Sequence, residues 1–256
     1  MSTTKSRERA ETTAPDYPIA YVATDIVLLT IDAEEEKERE RLKVVLVERA
    51  EEPAGLALPG GFLKPNEDLD RCATRELKEE TSIESTKKAP LEQLRSYSAP
   101  DRDPRHRPPH SRVVSVAYWG IIPKLPRLRA GTDAREAKLV PIRWIEERKV
   151  DFAFEDHREM VKDALERARA KLEYETIATR FCEKKFTIPE LRRVYETIWG
   201  QELDPGNFQR KVLGAAGFLR ETDDEPRRGD RGRPARIYTA GRSKRINPPL
   251  LRRDRR

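Results

Sequence analysis

The run Gly61 to Ile83, GFLKPNEDLDRCATRELKEETSI, constrains this chain more than any other stretch. Glu67 lies six positions after Gly61, and Arg75, Glu76, Leu77, Glu79 and Glu80 follow in close succession. On a helix Glu76, Glu79 and Glu80 fall at i, i+3 and i+4 and share one face. Carboxylates crowded in this way repel one another unless a cation sits among them. Hard oxygen ligands suit magnesium or manganese, above all beside substrate phosphates. The plainer alternative is a solvated face paired with Arg75 and Lys78. Leu69, Cys72, Ala73 and Leu77 form the apolar face, which assigns Cys72 to packing. Asn66 is placed to cap the helix, with Glu67 and Asp68 near the positive end of its dipole.

The spacing is similar to the Nudix box, Gly-x5-Glu-x7-Arg-Glu-apolar-x-Glu-Glu-x-Gly-apolar, with Ser82 where the family carries its closing Gly. The resemblance implies a domain that binds or hydrolyses nucleoside diphosphates linked to another moiety, with a divalent metal on Glu76, Glu79 and Glu80. In a catalytic version Glu79 and Glu80 act at the metal, and Glu136, in the run GTDAREAK, is the candidate general base. Ser82 bears on this directly. A residue just past a helix often takes positive φ, which costs a side chain with a Cβ roughly 1 kcal/mol, and the strain is expected to displace Glu79 or Glu80.

Charge divides the chain into two parts. Glu173 to Arg256 hold 20 Lys/Arg against 13 Asp/Glu, a net of +7, whereas the preceding 172 residues carry 32 against 33. A basic segment attached to a neutral one points to a polyanionic partner, most often nucleic acid. At 256 residues there is room for two ordinary domains. No apolar run approaches the roughly 18 residues of a membrane helix, and the polar N-terminus does not resemble a secretory signal. The two cysteines, Cys72 and Cys182, fit a reducing cytoplasm, and His106, His110 and His157 show no zinc-ligand spacing with them.

In chain order, residues 1–17 read as a disordered tail. Strands are expected at Ile19 to Ile31, Lys43 to Val47, Arg95 to Tyr97, Val113 to Ile122 and Arg143 to Ile145. A helix is expected from about Phe154 to Leu172, with Val161, Ala164, Leu165, Ala168 and Leu172 on its docking face. This gives an effector-binding domain at 18–153 and a linking helix at 154–173. A short helix at Tyr174 to Cys182 comes next. Thr187-Ile188-Pro189-Glu190 has capping-box spacing and opens a helix that Gly200 ends after Trp199. Asp204 as N-cap with Pro205 starts a third helix, to about Ala216. Strands at Phe218 to Arg220 and Arg236 to Tyr238 then flank an Arg-rich loop. The module at 174–241 is thus a winged helix-turn-helix, followed by a basic tail at 242–256.

On the third helix Phe208, Val212, Ala215 and Ala216 face inward, and Asn207, Arg210 and Gly214 face outward with Lys211 beside them. Asn and Arg are able to pair bidentately with adenine and guanine edges, and a Gly there permits close approach to a backbone. Arg227, Arg228, Arg231 and Arg233 suit phosphate or minor-groove contact. The expected DNA-binding set is Asn207, Arg210, Lys211, Arg228, Arg231 and Arg233.

The whole pattern resembles the Nudix-related transcriptional regulators of NAD metabolism, the NrtR family. It rests on APDRDPR before VVSVAYW, on LEYETIATRF, FTIPELRRVYETIWG and NFQRKVLGAAGFL, and on RGRPARIY. The resemblance implies an α/β (α+β) fold, a Nudix α/β/α sandwich carrying a C-terminal winged helix-turn-helix. It also implies a bacterial, cytoplasmic homodimer that represses NAD biosynthesis or salvage genes at a palindromic operator and is released by ADP-ribose. A dimer is also expected because one recognition helix reads only a half-site. The candidate effector-binding residues are Arg102, Arg105, Gly61 and Arg75. One rival is a magnesium- or manganese-dependent ADP-ribose pyrophosphatase with an accessory nucleic-acid module. Another is RNA processing, which the winged-helix pattern and the lack of an aromatic stacking surface disfavour.

Overall fold

The computed structural model describes residues 19–32, 35, 37, 41–84, 90–106, 111–122, 137–227 and 234–252. The expected N-terminal tail, Glu136, Arg228, Arg231 and Arg233 lie outside them. Strand β1 (Ile19–Ile31) runs parallel to β6 (Ser111–Ile122) from Ile19 to Thr30. Antiparallel partners extend the sheet: β2 (Leu42–Arg49) at one end of β1, β4 (Gly60–Phe62) at the other, and β5 (Glu92–Tyr97) on β6. Strands β3 (Gly55–Ala57) and β7 (Ala137–Pro141) both pair with β2.

Alternation along β1 covers both faces of the sheet. Ile26 and Leu28 point to Ala73 and Leu77 of α1 (Leu69–Thr81), while Val27 and Leu29 join the core built on α3 (Asp156–Tyr174). A sheet buried on both faces reads as a continuous apolar run, as this strand does. The strand expected at Arg143 to Ile145 is instead the short helix α2 (Ile142–Glu146); the ladder ends at Pro141, which lacks an N–H to continue it.

Helix α3 continues the same core into the C-terminal module. After a 3-10 segment (Thr176–Phe181) come β8 (Phe186–Thr187), α4 (Ile188–Trp199), α5 (Pro205–Gly214), β9 (Leu219–Glu221) and β10 (Ile237–Ala240). The local signals act as read. Thr187 and Glu190 form a reciprocal capping box, Gly200 closes α4 at φ 65, and Asp204 caps α5 ahead of Pro205. Strands β8, β10 and β9 make a three-stranded sheet in that order. Residues 242–252 are not a free tail. Ile246 and Leu250 are buried, and their N–H groups donate to Tyr174 O and Glu173 O at the end of α3. Among the described residues no helix is long and apolar enough to cross a membrane.

Candidate functional site

The box helix is capped by Asp68, which accepts from Arg71 N–H at 2.8 Å, rather than by Asn66. Glu67, one residue outside the helix, is thereby free to turn back onto Arg75. The Arg75 guanidinium donates to both Glu67 oxygens, at 2.7 and 2.8 Å, in the fork geometry that guanidinium and carboxylate share. It also donates to Glu76 at 2.5 Å and Glu79 at 3.0 Å. The hydrogen bonds from Arg75 lower the Glu67 carboxyl to about 2. A Cβ on Gly61 would lie 2.3 Å from Glu76 Oε1, so a larger residue there would push that carboxylate aside.

Glu76 and Glu79 are engaged by Arg75, Glu80 accepts from Gly60 N–H at 2.9 Å, and no group of His, Cys, Asp or Glu among the described residues is arranged to hold an ion. The cation at the centre of the box carboxylates is Arg75. Its guanidinium is engaged there and is not among the residues that line the adjacent cavity. Ser82 takes the left-handed conformation itself, φ 59, and its N–H caps Lys78 O. The helix closes as a Gly would close it, so Ser82 does not displace the end of the helix.

A cavity of ≈ 250 Å³ opens beside the box, lined by Gly60, Gly61, Glu80, Arg102, Arg105 and His157 among others. Three distant segments build its floor. Asp25 of β1 accepts from Ser115 of β6, from Arg102 Nη2 at 3.2 Å, and faces His157 Nε2 at 3.4 Å. His157 Nδ1 accepts from Leu58 N–H at 3.0 Å, which places the ring proton on Nε2, toward Asp25. Burial raises the Asp25 carboxyl, but His157, then Arg102 and Ser115, outweigh it and bring the group down to about 2. Arg102, with a side chain only 5% exposed, also donates through Nε to Asp156 at 2.6 Å. Arg105 is held by buried Asp103 at 2.7 Å, lies over the Phe154 ring and remains accessible at the rim. Two guanidiniums at different depths, beside the backbone of Gly60 and Gly61, suit a diphosphate.

The second candidate surface is α5. Phe208, Val212 and Ala215 are buried, and Gln209, Arg210, Lys211, Leu213 and Gly214 are exposed. Asn207 is half-buried, and its Oδ1 accepts from Arg210 Nη2 at 2.8 Å. It orients the arginine from the side of the exposed face.

A Nudix domain model matches residues 24–164, and a model described as the NrtR DNA-binding winged helix domain matches residues 178–240. The ADPR responsive transcriptional repressor NtrR of Acinetobacter baylyi is 30% identical over 227 residues, which span 87% of this chain and 83% of that protein. The chain belongs to the NrtR family. Its fold agrees with Shewanella oneidensis NrtR, crystallised with a 27mer DNA, at a TM-score of 0.69 and 28% identity over 90% of this chain and 99% of that one. A MutT/nudix family protein from Enterococcus faecalis matches at 0.66 and 30% identity, over 90% and 89%. An ADP-ribose pyrophosphatase from Methanocaldococcus jannaschii is 35% identical over 124 residues, covering 47% of this chain and 64% of that protein.

In this NrtR-family chain the structure brings Gly61, Arg102 and Arg105 together at one cavity, with Glu80 at its edge. Asp25, Asp103, Ser115 and Asp156 were not expected at this site, and His157 was weighed only as a zinc ligand. Asp25 did leave a signal, a carboxylate in the middle of an otherwise apolar strand. Cys72 is buried, accepts from Thr24 Oγ1 at 3.4 Å, and has its thiol pushed up by burial first, as a packing residue should.

Proposed function

We propose that this protein is a transcriptional repressor that binds a palindromic operator as a homodimer and is released by ADP-ribose held in the Nudix cavity. The regulated genes on this reading are those of NAD biosynthesis or salvage, and the protein works in the cytoplasm at its operator. The observation that carries the proposal is the path of α3. Its first residue, Asp156, holds Arg102 at the cavity, and near its far end Arg169 holds the winged helix. Arg169 Nε donates to Ile198 O at 2.9 Å, and Trp199 Nε1 returns a bond to Arg169 O at 3.2 Å.

The effector's phosphates compete with Asp156 for Arg102. Asp156 Oδ1 is buried with no hydrogen-bond partner among the described residues, so this ion pair is incompletely satisfied. Release of DNA requires the effector to favour the DNA-incompetent arrangement by a differential affinity. A mobility-shift titration with ADP-ribose, NAD and buffer alone tests the reading. Saturating ADP-ribose that leaves DNA binding unchanged sinks it.

Hydrolysis of the ligand is the second reading, favoured by the match to the archaeal pyrophosphatase. Incubation with magnesium and ADP-ribose tests it. AMP formation that Glu79→Gln abolishes establishes an enzyme.

A further inference from the structure

The exposed side of α5 carries a stripe that charge alone does not explain. Gly206, Gln209, Arg210 and Leu213 stand at i, i+3, i+4 and i+7, all exposed and all opposite buried Phe208, Val212 and Ala215. Side chains at this spacing on a helix enter a major groove together. Leu213 is 48% exposed, on the same side of α5 as Gln209 and Arg210. A large aliphatic side chain held in water on such a face loses nothing by meeting an apolar group on a partner.

Gly214, next to it, gives an independent sign. A Cβ there would meet nothing within 4 Å, and its φ is not positive. Nothing among the described residues requires glycine there, although a Gly in a helix costs up to about 1 kcal/mol relative to Ala. The missing Cβ leaves room for an outside surface to approach the α5 backbone closely.

We propose that Leu213 is a specificity-determining residue that contacts the C5-methyl group of a thymine in the major groove, with Gly214 admitting the DNA backbone beside it. Thymine is the base that offers an apolar group in that groove. The neighbouring Arg210, oriented by Asn207, reads an adjacent guanine. This inference rests on the repressor reading and adds a base contact to it.

The test uses the full chain and a duplex that the wild-type protein enriches from random-sequence DNA. Each thymine of one half-site is replaced in turn by uracil, which removes only the methyl group. At one or two positions the wild-type protein is expected to lose affinity about fourfold, the value of one buried methylene-sized group. Leu213→Ala is expected to bind the thymine duplex about as weakly and to show no further loss on uracil. Gly214→Ala is expected to melt at a higher temperature and yet bind the duplex more weakly. Wild-type affinity that is indifferent to uracil at every position overturns the proposal, as does a full uracil penalty retained by Leu213→Ala, or undiminished binding by Gly214→Ala. Failure of the wild-type protein to enrich any duplex overturns the repressor reading along with it.

Discussion

Arg102, in the loop after β5, donates through Nε to Asp156, the first residue of α3, at 2.6 Å. The pair joins the floor of the cavity to the helix that carries the winged module. An arginine so deeply placed is balanced by Asp25 and Asp156 together, and whichever partner a phosphate replaces loses its hold on it.

Asp156→Asn weakens the competitor for Arg102 while Asp25 still balances the buried charge. ADP-ribose is expected to bind more tightly, by roughly fivefold, and half-release of DNA is expected at correspondingly lower ADP-ribose. Calorimetric titration of the ligand alongside mobility shifts measures both. Unchanged affinity would place the phosphates elsewhere.

Arg169→Ala removes the donor that satisfies Ile198 O at the end of α4. An abandoned acceptor there costs about 1–3 kcal/mol, visible as a lower urea midpoint. Ligand binding and DNA binding are each expected to persist, but ADP-ribose should release DNA less completely. Full release by the variant shows that coupling bypasses Arg169.

Asp25 sets an acid limit. Its carboxyl sits at about 2 against an ordinary 3.8, so its contribution is complete above about pH 4 and is lost as pH falls toward 2. At 1.36 kcal/mol per unit the loss is on the order of 2 kcal/mol. Urea midpoints measured from pH 6 to pH 2.5 should therefore fall less steeply for Asp25→Asn than for the wild-type protein, which starts higher. Parallel curves would refute the assignment.

Ser82 holds φ 59 at the end of the box helix. Ser82→Gly relieves a left-handed conformation that costs a Cβ-bearing residue about 1 kcal/mol. The variant should melt several degrees higher, by calorimetry, with ADP-ribose affinity unchanged because the helix already closes correctly.

Arg210→Ala should lower DNA affinity and relax base preference, whereas Arg231→Ala or Arg233→Ala should weaken binding evenly and reduce the salt slope by about one. Affinity measured across a salt series separates the two behaviours. If operator affinity survives all three substitutions, the recognition surface is wrongly placed.

Much of the architecture was legible because its determinants are local. The Thr187–Glu190 capping box, Gly200, and Asp204 before Pro205 each act within a turn of where they stand, so α4 and α5 could be delimited from residues alone. The apolar run of β1 and the apolar face of α1 were equally readable. Locality also explains the misses. Arg143 to Ile145 is too short for periodicity to separate helix from strand, and Asn66 lost the cap to Asp68 two residues on. Ile246 and Leu250 looked like part of a basic tail because the partners that bury them lie at the end of α3, more than seventy residues earlier.

By itself the sequence determined that a carboxylate-rich helix sits in a Nudix domain and that a basic winged helix follows it. Hydrophobic period, caps and spacing are properties of neighbours along the chain. Only the tertiary structure decided which charge each charged residue meets. Arg75 fills the centre of its own box, Arg102 is shared between Asp25 and Asp156, and His157 turns its Nε2 to Asp25. These pairs span up to 132 positions, from Asp25 to His157. Ion pairing depends on distance and burial in space, and folding alone sets those for residues so far apart.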